Sequence, residues 1–421
     1  MVMFGWVRNR EVLTHKFELN SLVFGFINIL NGGCKKMAKI VNCWNEWDPL
    51  KRVIMGRPEG TNIPAPEPAW WYHRPDGDYP LGSWGPFPQE MIDKANEQMN
   101  YFQKQIEKRG AIVERINIEP FMMNKPVSTP DWTQLNCHGV NNVRDVTMIH
   151  GNMIIEATTC RRSRWYEYLN LRPIFERYFH EDPECVWFAA PKPRLTDESY
   201  VKNFYYYFEN VWSDEEKLAR TRRSEFQLTE KEPLWDAADA MRFGKDVFHQ
   251  ISCVTNKSGF DWLKRQYEAL GLRMHHVVFD NNVHPWHIDV NLVPMRAGLC
   301  MYNPDWIPIT DDMWTLFKKN DWELVPAAKP VHVHRNRCYL TGLYEGTSWI
   351  SMNTFSIDPK TVCVEAHETA YIEQLNKLGM EVEAIPYEHV IPFGGALHCT
   401  TLDVYREGGL EDYFPNQVAG Y

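Results

Sequence analysis

Cys399 is the residue whose sequence surroundings most suggest chemistry. It follows Gly394 and Gly395 in the stretch GGALHCTT. Two glycines let a backbone approach a bound molecule closely and leave a following side chain reachable. A cysteine at such a point is a candidate nucleophile. A buried hydrophobic role stays open, because the chain has nine other cysteines and most single cysteines fill core positions.

A histidine and two acids could move protons beside such a sulfur. His287 and Asp289 are separated by one residue in PWHIDV, which would place both side chains on one face of a strand. A histidine next to a carboxylate transfers protons near neutral pH. Asp236, in WDAAD, could orient an imidazole or cap a short helix. The alternative for His287 and Asp289 is a hydrogen-bonded pair on a sheet face without a catalytic role.

Metal and nucleotide sites have less support in the sequence. The segments 284–287, 332–334 and 275–276 each hold two histidines at spacings that metal ligands use. No HExxH motif or cysteine–histidine framework accompanies them, so no metal is expected. The phosphate-binding motifs GxGxxG before a helix and GxxxxGK[ST] are also missing, so no nucleotide cofactor is indicated.

The elements that would position these residues recur as a helix followed by a strand. Five times, a stretch with apolar residues at steps of three or four precedes a short β-rich run. The pairs are Gln89–Arg109 with Ala111–Ile116, Ser163–Glu181 with Cys185–Ala190, Gly259–Leu270 with Arg273–Phe279, Asp311–Lys319 with Trp322–Val325, and Glu368–Leu378 with Met380–Ile385.

Hairpins are predicted between these units, each with two β-rich runs around turn residues. They are Asp145–Ala157, His287–Met301 and Ser351–Ala366, and Asp246–Thr255 adds at least one more strand. Five units of hairpin, helix and strand that close on themselves would form an α/β propeller with a central channel. An ordinary mixed α/β sheet would show the same rhythm and stays open at this point.

Composition limits the class of protein. The 421 residues are 44% hydrophobic and 24% charged, as in globular proteins, and the net charge of −10 argues against a nucleic-acid partner. The longest apolar run, Ser21–Leu30, is shorter than the roughly 18 residues that a membrane span requires, so no membrane partner is expected. Ten scattered cysteines without a CxxC pair indicate reduced, mostly buried thiols and a cytoplasmic protein.

Two segments stand apart from the repeating units. Residues 1–39 are interpreted as an N-terminal extension with the natural start at Met37, because recognisable pattern begins only near Ile40. A cleaved signal peptide is the less favoured alternative, because no cleavage pattern follows Ser21–Leu30. Residues 40–421 are then a single domain. Within it, Arg57–Pro88 is rich in proline and aromatic residues, and it could form a lid over a site or wrap around the body.

Several long segments, in matching order, resemble the arginine amidinotransferases, the family of glycine amidinotransferase and inosamine-phosphate amidinotransferase. They run from about Ile40 to Tyr413 and include CWNEWDPLKRVIMGR, VRDVTMIHGNMIIEA, RSRWYEY, WDAADAMRFGKDVF, HIDVNLV, WISMN and GGALHCTTLDV. The resemblance implies the fivefold α/β propeller that this family shares with arginine deiminases. It also implies transfer of the amidino group of L-arginine to a primary amine, with no metal or organic cofactor, by a homodimer.

Carried over position by position, the family pattern implies roles for five residues. Cys399 is the nucleophile that carries the amidino group, His287 is the acid and base, and Asp236 polarises this histidine. Asp145 and Asp289 resemble the carboxylates that hold the guanidinium. Two carboxylates can orient that planar cation, whose carbon is otherwise a poor electrophile.

Three further positions bear on the substrates. Ser351 matches a position near the amino-acid end of the donor. Trp306 stands in NPDWIP where family members often have an arginine that grips the donor carboxylate, and an indole cannot form that ion pair. Trp286 precedes the histidine where glycine amidinotransferase has a methionine beside its acceptor. The larger ring suggests an acceptor amine from specialised metabolism, as in cyanobacterial toxin pathways of the saxitoxin type, with glycine as the alternative.

Two other functions stay open. A guanidino hydrolase like arginine deiminase would use the same catalytic groups with water in place of the amine, so exclusion of water would decide between them. A non-catalytic relative that binds a small molecule would keep the fold. The matched site residues favour an enzyme, and the long matching segments favour transfer.

Overall fold

The structure is a computed structural model that describes residues 39–69, 84–308, 310–331, 347–419 and 421. Lys39–Tyr421 forms one compact unit. The predicted N-terminal extension lies outside the described residues except for Lys39. So do residues 70–83 of the proline-rich segment and the histidines of 332–334.

Seven α-helices are present in the described part of the chain, and none of them is long and apolar enough to cross a bilayer. They are α1 (Gln89–Lys108), α2 (Arg172–Glu181), α3 (Phe204–Asn210), α4 (Asp214–Arg222), α5 (Lys257–Ala269), α6 (Asp311–Lys319) and α7 (Thr369–Lys377).

The strands are short and numerous. They are β1 (Leu50–Met55), β2 (Asn62–Ile63), β3 (Gly85–Pro86), β4 (Ile112–Arg115), β5 (Val127–Ser128), β6 (Thr133–Gln134), β7 (Thr147–His150), β8 (Met153–Glu156), β9 (Val186–Ala189), β10 (Ala240–Phe243), β11 (Asp246–Gln250), β12 (Arg273–Val277), β13 (Leu292–Arg296), β14 (Leu299–Tyr302), β15 (Glu323–Pro326), β16 (Phe355–Ser356), β17 (Thr361–Glu365), β18 (Glu381–Ile385) and β19 (Thr401–Arg406).

Fifteen of these strands form five three-stranded sheets, which are the blades of a fivefold α/β propeller. In every blade the first two strands are antiparallel and the third is parallel to the second, which it reaches through a helix. The prediction of five hairpin–helix–strand units is therefore confirmed. In chain order the blades are β19-β1-β4, β7-β8-β9, β10-β11-β12, β13-β14-β15 and β16-β17-β18.

Burial falls from the first strand of a blade to the third. Strands β7 and β10 are buried along their whole length, whereas β9 and β15 are exposed at both ends. Helix α1 covers its blade with a stripe of buried residues at steps of three and four, namely Ile92, Ala95, Met99, Phe102 and Ile106. Each large side chain of such a stripe contributes about 1.5–3 kcal/mol when fully buried.

The structure corrects several boundaries predicted from the sequence. The helix predicted over Ser163–Glu181 begins as two 3-10 turns and becomes α-helical only at Arg172, with Pro173 in its first turn, where no N–H is needed. The strand predicted at His287–Asp289 is wrong, because Ile288–Val290 is a 3-10 turn. The sequence pattern does not predict α3, α4 or β10.

Short turns stand immediately before the first strand of the blades. Three of them are 3-10 turns at Ala237–Asp239, Ile288–Val290 and Ser348–Met352. Backbone hydrogen bonds join turns of neighbouring blades: Ala237 N donates to Asp145 O at 2.7 Å, and Arg144 N donates to Cys399 O at 3.2 Å. The fold thus gathers equivalent segments from all five blades at one place.

Candidate active site

The residues singled out in the sequence come from these turns. Asp145 precedes β7, Asp236 precedes β10, His287 and Asp289 precede β13, and Cys399 precedes β19. The reactive atoms of Asp145, His287 and Cys399 all lie within 4.8 Å of one another. Residues that are far apart in sequence are therefore neighbours because each blade repeats the same local path.

Cys399 is the cysteine that lines the cavity beside His287 and Asp289. Eight described cysteines are free thiols and all are buried, but Cys399 also lines a cavity of about 430 Å³. Its Sγ lies 3.4 Å from Asp289 Oδ2. The glycine pair serves its packing: a Cβ on Gly395 would lie only 2.6 Å from the Cys399 Cβ, and Gly394 has a positive φ of 85°.

His287 lies between two carboxylates. Its Nε2 is 3.4 Å from Asp236 Oδ2, and its Nδ1 is 3.8 Å from Asp145 Oδ1. Asp236 precedes a 3-10 turn but does not cap it, so its side chain is available to the imidazole. The structure thus brings the imidazole of His287 into contact with Asp236, although the strand predicted at His287–Asp289 is a 3-10 turn.

The electrostatics of the site raise the pKa of both His287 and Cys399. Burial lowers the pKa of His287, but Asp145 and Asp236 outweigh this effect and raise the pKa to about 9. The imidazole is therefore protonated at neutral pH. Burial raises the pKa of the Cys399 thiol well above its usual value, and Asp289 and Asp145 raise it further. The empty site thus holds an imidazolium and a neutral thiol.

Three buried carboxylates each have one oxygen engaged and one oxygen open. Oδ2 of Asp145 accepts from Arg164 Nη1 at 2.5 Å, and Oδ2 of Asp289 is 2.8 Å from His398 Nδ1. The other oxygen, Oδ1, of Asp145, Asp236 and Asp289 has no hydrogen-bond partner among the described residues. Unpaired buried acceptors are costly and mark a place where a donor is expected.

Two tryptophans form part of the cavity wall. Trp286 and Trp306 line it together with Val283, Val290 and Ile350. The indole of Trp286 donates to His284 Nδ1 at 2.9 Å, and the guanidinium of Arg161 lies 4.3 Å from its ring centre. The wall beside Cys399 is therefore largely apolar and aromatic.

Ser351 does not reach this cavity. It is buried, and its Oγ has no hydrogen-bond partner in the described part of the chain. Ser348 and Thr347, a few residues earlier on the same turn, line the cavity instead. That Ser351 lies near the donor's amino-acid end stays a prediction, and the 3-10 turn places Ser348 rather than Ser351 in the cavity wall.

Sequence reasoning missed four residues that support the site. Arg164 holds Asp145 and is itself held by Glu167 Oε2 at 2.6 Å. His398 holds Asp289, and Asn353 donates to Cys399 Sγ at 3.2 Å. The signal was available, because all four lie in segments that carry the family resemblance or adjoin its residues, RSRWYEY, WISMN and LHC.

Asp145, His287 and Cys399 are also close enough to serve as three ligands of one metal ion. Both His287 and Cys399 carry a proton at neutral pH, and each proton would have to leave before the group could coordinate an ion. Their protonation states suit thiol and acid–base chemistry more directly. The histidine pairs have other partners: His275 Nε2 is 2.7 Å from Asp246 Oδ1, and His284 accepts from Trp286.

Proteins of similar sequence are amidinotransferases. The mitochondrial glycine amidinotransferase of Xenopus laevis is 33% identical over 380 residues, which are 88% of this chain and 84% of that protein. The L-arginine:L-lysine amidinotransferase of Pseudomonas savastanoi pv. phaseolicola is 32% identical over 377 residues, or 88% of this chain and 95% of that protein. No protein-family model matches the chain.

Solved structures give the same result. SxtG, an amidinotransferase of the saxitoxin biosynthetic pathway from Microseira wollei, has a TM-score of 0.75 at 34% identity over 89% of this chain and 99% of its own. The inosamine-phosphate amidinotransferase StrB1 of Streptomyces griseus has a TM-score of 0.74 at 29% identity over 90% and 100%. A cyanobacterial arginine dihydrolase, ArgZ, at 14% identity and a TM-score of 0.54 over 86% of this chain and 42% of its own, shows the shared fold alone.

A chain that covers most of the length of these relatives, and that has the same five-bladed fold, shares their class of reaction. It belongs to the amidinotransferase family and is a transferase of amidino groups.

Proposed function

We propose that the protein transfers the amidino group of L-arginine, through a covalent amidino adduct on Cys399, to a primary amine of specialised metabolism. One observation carries the proposal. Cys399, His287 and Asp289 line one cavity, and Asp145 lies within 4.8 Å of the thiol and the imidazolium. Asp145, Asp236 and Asp289 each have a buried oxygen without a hydrogen-bond partner among the described residues. A guanidinium is a planar cation with several N–H donors, so it matches this set of acceptors.

Binding of the donor prepares the nucleophile. The open oxygens of Asp145 and Asp289 accept N–H groups of the guanidinium and hold its plane beside Cys399 Sγ. The positive charge of the bound donor offsets the two carboxylates that keep the thiol protonated. The thiol then loses its proton to solvent, and a thiolate stands next to the carbon that it must attack.

The first half-reaction forms the adduct. The thiolate adds to the guanidinium carbon and gives a tetrahedral intermediate. His287 donates its proton to the departing nitrogen, the C–N bond breaks, and ornithine leaves as an amine. Cys399 then carries a cationic amidino group, and His287 is neutral and oriented by Asp236.

The second half-reaction reverses these steps with another amine. The acceptor nitrogen attacks the amidino carbon, and neutral His287 takes a proton from that nitrogen. The C–S bond breaks and returns the thiolate, so the guanidino product leaves an enzyme with the imidazolium restored. Atoms and charges balance without a metal or an organic cofactor.

The cavity wall favours an acceptor with an apolar or aromatic body over glycine. Trp286 and Trp306 line the space next to Cys399, with Val283, Val290 and Ile350. Indole and aliphatic side chains gain from contact with apolar carbon. The relatives that act on glycine, lysine or an inosamine phosphate show that acceptors vary within the family. Homodimerisation and a cytoplasmic location stay predictions.

Mass spectrometry of the quenched enzyme tests the covalent step. The wild type mixed with L-arginine alone is expected to gain about 42 Da on Cys399, and an added amine is expected to remove this adduct with formation of a guanidino product. Cys399→Ser should show neither event. Cys185→Ser, which changes a thiol outside the described cavity wall, should behave as wild type.

Two outcomes would contradict the proposal. Rapid citrulline and ammonia from arginine alone would make the protein a hydrolase. Absence of the adduct at the shortest quench times, with unchanged activity in Cys399→Ser, would remove the covalent mechanism. A screen of amines with labelled arginine then identifies the acceptor, and glycine as the best acceptor would refute the apolar preference.

A further inference from the structure

Asn353 holds the candidate nucleophile at three points. Its Oδ1 accepts hydrogen bonds from the backbone N–H of His398 at 3.0 Å and of Cys399 at 3.1 Å. Its Nδ2 donates to Cys399 Sγ at 3.2 Å. Asn353 is 2% exposed, so these bonds are shielded from water. One amide group thus contacts both the backbone and the sulfur of the same residue.

The position of Asn353 in the fold is equivalent to that of other site residues. It stands immediately before β16, the first strand of its blade, as Asp145 stands before β7 and Cys399 before β19. Its backbone N–H donates to Ile350 O at 3.0 Å and closes the preceding 3-10 turn. The blade that contributes Asn353 therefore provides a polar side chain at the same level as the others.

A donor beside the sulfur would stabilise its thiolate form, because the other close neighbours include carboxylates as well as the imidazolium. Asp289 Oδ2 lies 3.4 Å from Sγ, and Asp145 and His287 lie within 4.8 Å. Burial and the two carboxylates oppose a negative charge on sulfur, whereas the backbone at Ala396 and the Asn353 side chain favour it, as the causes of the raised Cys399 pKa show. An amide N–H pointing at sulfur stabilises the charged form because it is a fixed dipole.

We propose that Asn353 is a catalytic residue of the amidino transfer, whose amide nitrogen stabilises the Cys399 thiolate while its amide oxygen fixes the backbone that aims the sulfur. The inference rests on the proposed role of Cys399 as nucleophile. It assigns two separate tasks to the two ends of one side chain. Removal of the N–H donor alone should therefore change the reactivity of the sulfur more than the binding of arginine.

Asn353→Asp and Asn353→Ser separate these tasks. Asp keeps the shape and an oxygen for the two backbone N–H groups, but it replaces the donor to sulfur by a carboxyl oxygen. Ser is too short to bond both the backbone and the sulfur. We expect kcat to fall about 10²-fold or more in both variants, as for loss of one charge-stabilising donor, with KM for arginine changed less than about threefold.

The reactivity of the sulfur is measured without substrate. Alkylation of Cys399 by iodoacetamide, a neutral reagent, is followed against pH by mass spectrometry. In both variants the pH at which alkylation reaches half its maximal rate should move upward. The groups that also titrate or carry charge beside the sulfur, His287, Asp145, Asp289 and His398, are unchanged in these variants.

Asn256→Asp is a matched control. Asn256 is equally buried, and its Oδ1 accepts from the backbone N–H of Gly259 at 2.8 Å and of Leu234 at 3.0 Å, while its Nδ2 donates to carbonyl oxygens. It caps α5 and does not line the cavity. Its variant is expected to lose stability but to keep the alkylation profile and kcat of the wild type.

The outcomes separate the two proposals. A wild type that forms no amidino adduct rejects the proposed function, and the alkylation profile still reports whether Asn353 acts on the sulfur. Unchanged profiles and kcat within threefold of wild type in both Asn353 variants overturn the inference. A loss of stability alone, as in the Asn256 control, overturns it too. If Asn353→Asp does not fold cooperatively, Asn353→Ser decides.

Discussion

Two groups of buried carboxylates meet at His398, and their hydrogen bonding differs. The imidazole lies 2.8 Å from Asp289 through Nδ1 and 3.5 Å from Glu46 through Nε2. On the Asp289 side are Asp145 and Asp236, each with an open oxygen. On the Glu46 side is Asp403, which is surrounded by arginines.

The Glu46 side is fully paired. Arg144, Arg242 and Arg406 all contact the carboxylate of Asp403, with Arg406 Nε at 2.7 Å, and Arg242 also binds both oxygens of Glu46 at 2.6 Å. Burial alone would raise the pKa of Asp403, but the three guanidinium groups hold it well below its usual range. In this cluster the carboxylates bind guanidinium groups that belong to the protein itself.

The contrast shows where a cation is expected to come and go. In the paired cluster, arginine side chains supply the guanidinium groups. Every carboxylate oxygen of Glu46 and Asp403 therefore has a partner among the described residues. The open cluster has unpartnered acceptors of the same kind, and one of its members, Asp289, lines the cavity. The paired side therefore supports the fold, and the open side is the proposed place for the guanidinium of a substrate.

The paired cluster gives the largest expected effect on stability. Asp403→Asn would leave three buried guanidinium groups without their common counter-charge, and we expect the free energy of unfolding to fall by about 3–5 kcal/mol. Urea denaturation measures this change. Asp131→Asn, which removes an exposed pair with Arg194, should change stability little. An equal loss of stability in both variants would show that the paired cluster does not stabilise the fold more than an exposed ion pair does.

The open cluster gives the next effect, on activity. Asp289→Asn should lower kcat/KM for amidino transfer by about 10²–10³-fold, because one acceptor for the guanidinium is lost. The same substitution removes a negative charge that raises the pKa of Cys399, so the free thiol should be alkylated faster at neutral pH. Asp280→Asn, at an exposed pair with Arg222, is the control. Slower alkylation of Cys399 in Asp289→Asn than in the wild type would contradict this role of the Asp289 carboxylate.

The smallest effect concerns pH. The pKa of His287 is raised to about 9 in the folded protein, above the ordinary value near 6.5 of the unfolded chain. The imidazolium therefore contributes stability in full below pH 6.5, and this contribution is lost as the pH rises through 9. The same loss removes the acid of the first half-reaction, so the slope of log kcat/KM for arginine against pH, which reports the free enzyme, should fall by about one near pH 9.

Rates at arginine concentrations well below KM and urea denaturation between pH 7 and pH 10.5 measure both consequences. His389→Asn, which changes a partly exposed histidine, should leave both profiles as in the wild type. A profile of kcat/KM with no change of slope near pH 9 would show that His287 is not the acid.

The sequence predicts the architecture better than the local geometry of the site. A helix that buries one face has apolar residues at a regular spacing, as α1 and the later helices do. This spacing, together with the β-rich run after each helix, is enough to predict the five units. The alternation at His287–Asp289 is too short to separate a strand from a 3-10 turn. Both geometries can bring the two side chains to one cavity, and the structure places both in its wall although the element is a 3-10 turn.

Supporting residues were missed for a different reason. Asn353 and His398 make their contacts with another blade. Asn353, for example, accepts hydrogen bonds from His398 and Cys399, which follow it by 45 and 46 positions in the chain. A local pattern contains no information on which turns are adjacent in space. Ser351 and Asn353 stand in the same motif, WISMN, and the direction of the turn decides that Asn353 contacts the sulfur.

The first blade is assembled from distant parts of the chain, since β19 pairs with β1, and β1 with β4. Cys399 stands just before β19, so the ribosome synthesises the sulfur and the strand that anchors it after the other four blades. A nascent chain that stops before this segment has an incomplete first sheet and no thiol at the site. Under the proposed mechanism, in which Cys399 is the nucleophile, a chain can attack a guanidino compound only after its last blade strand has been synthesised.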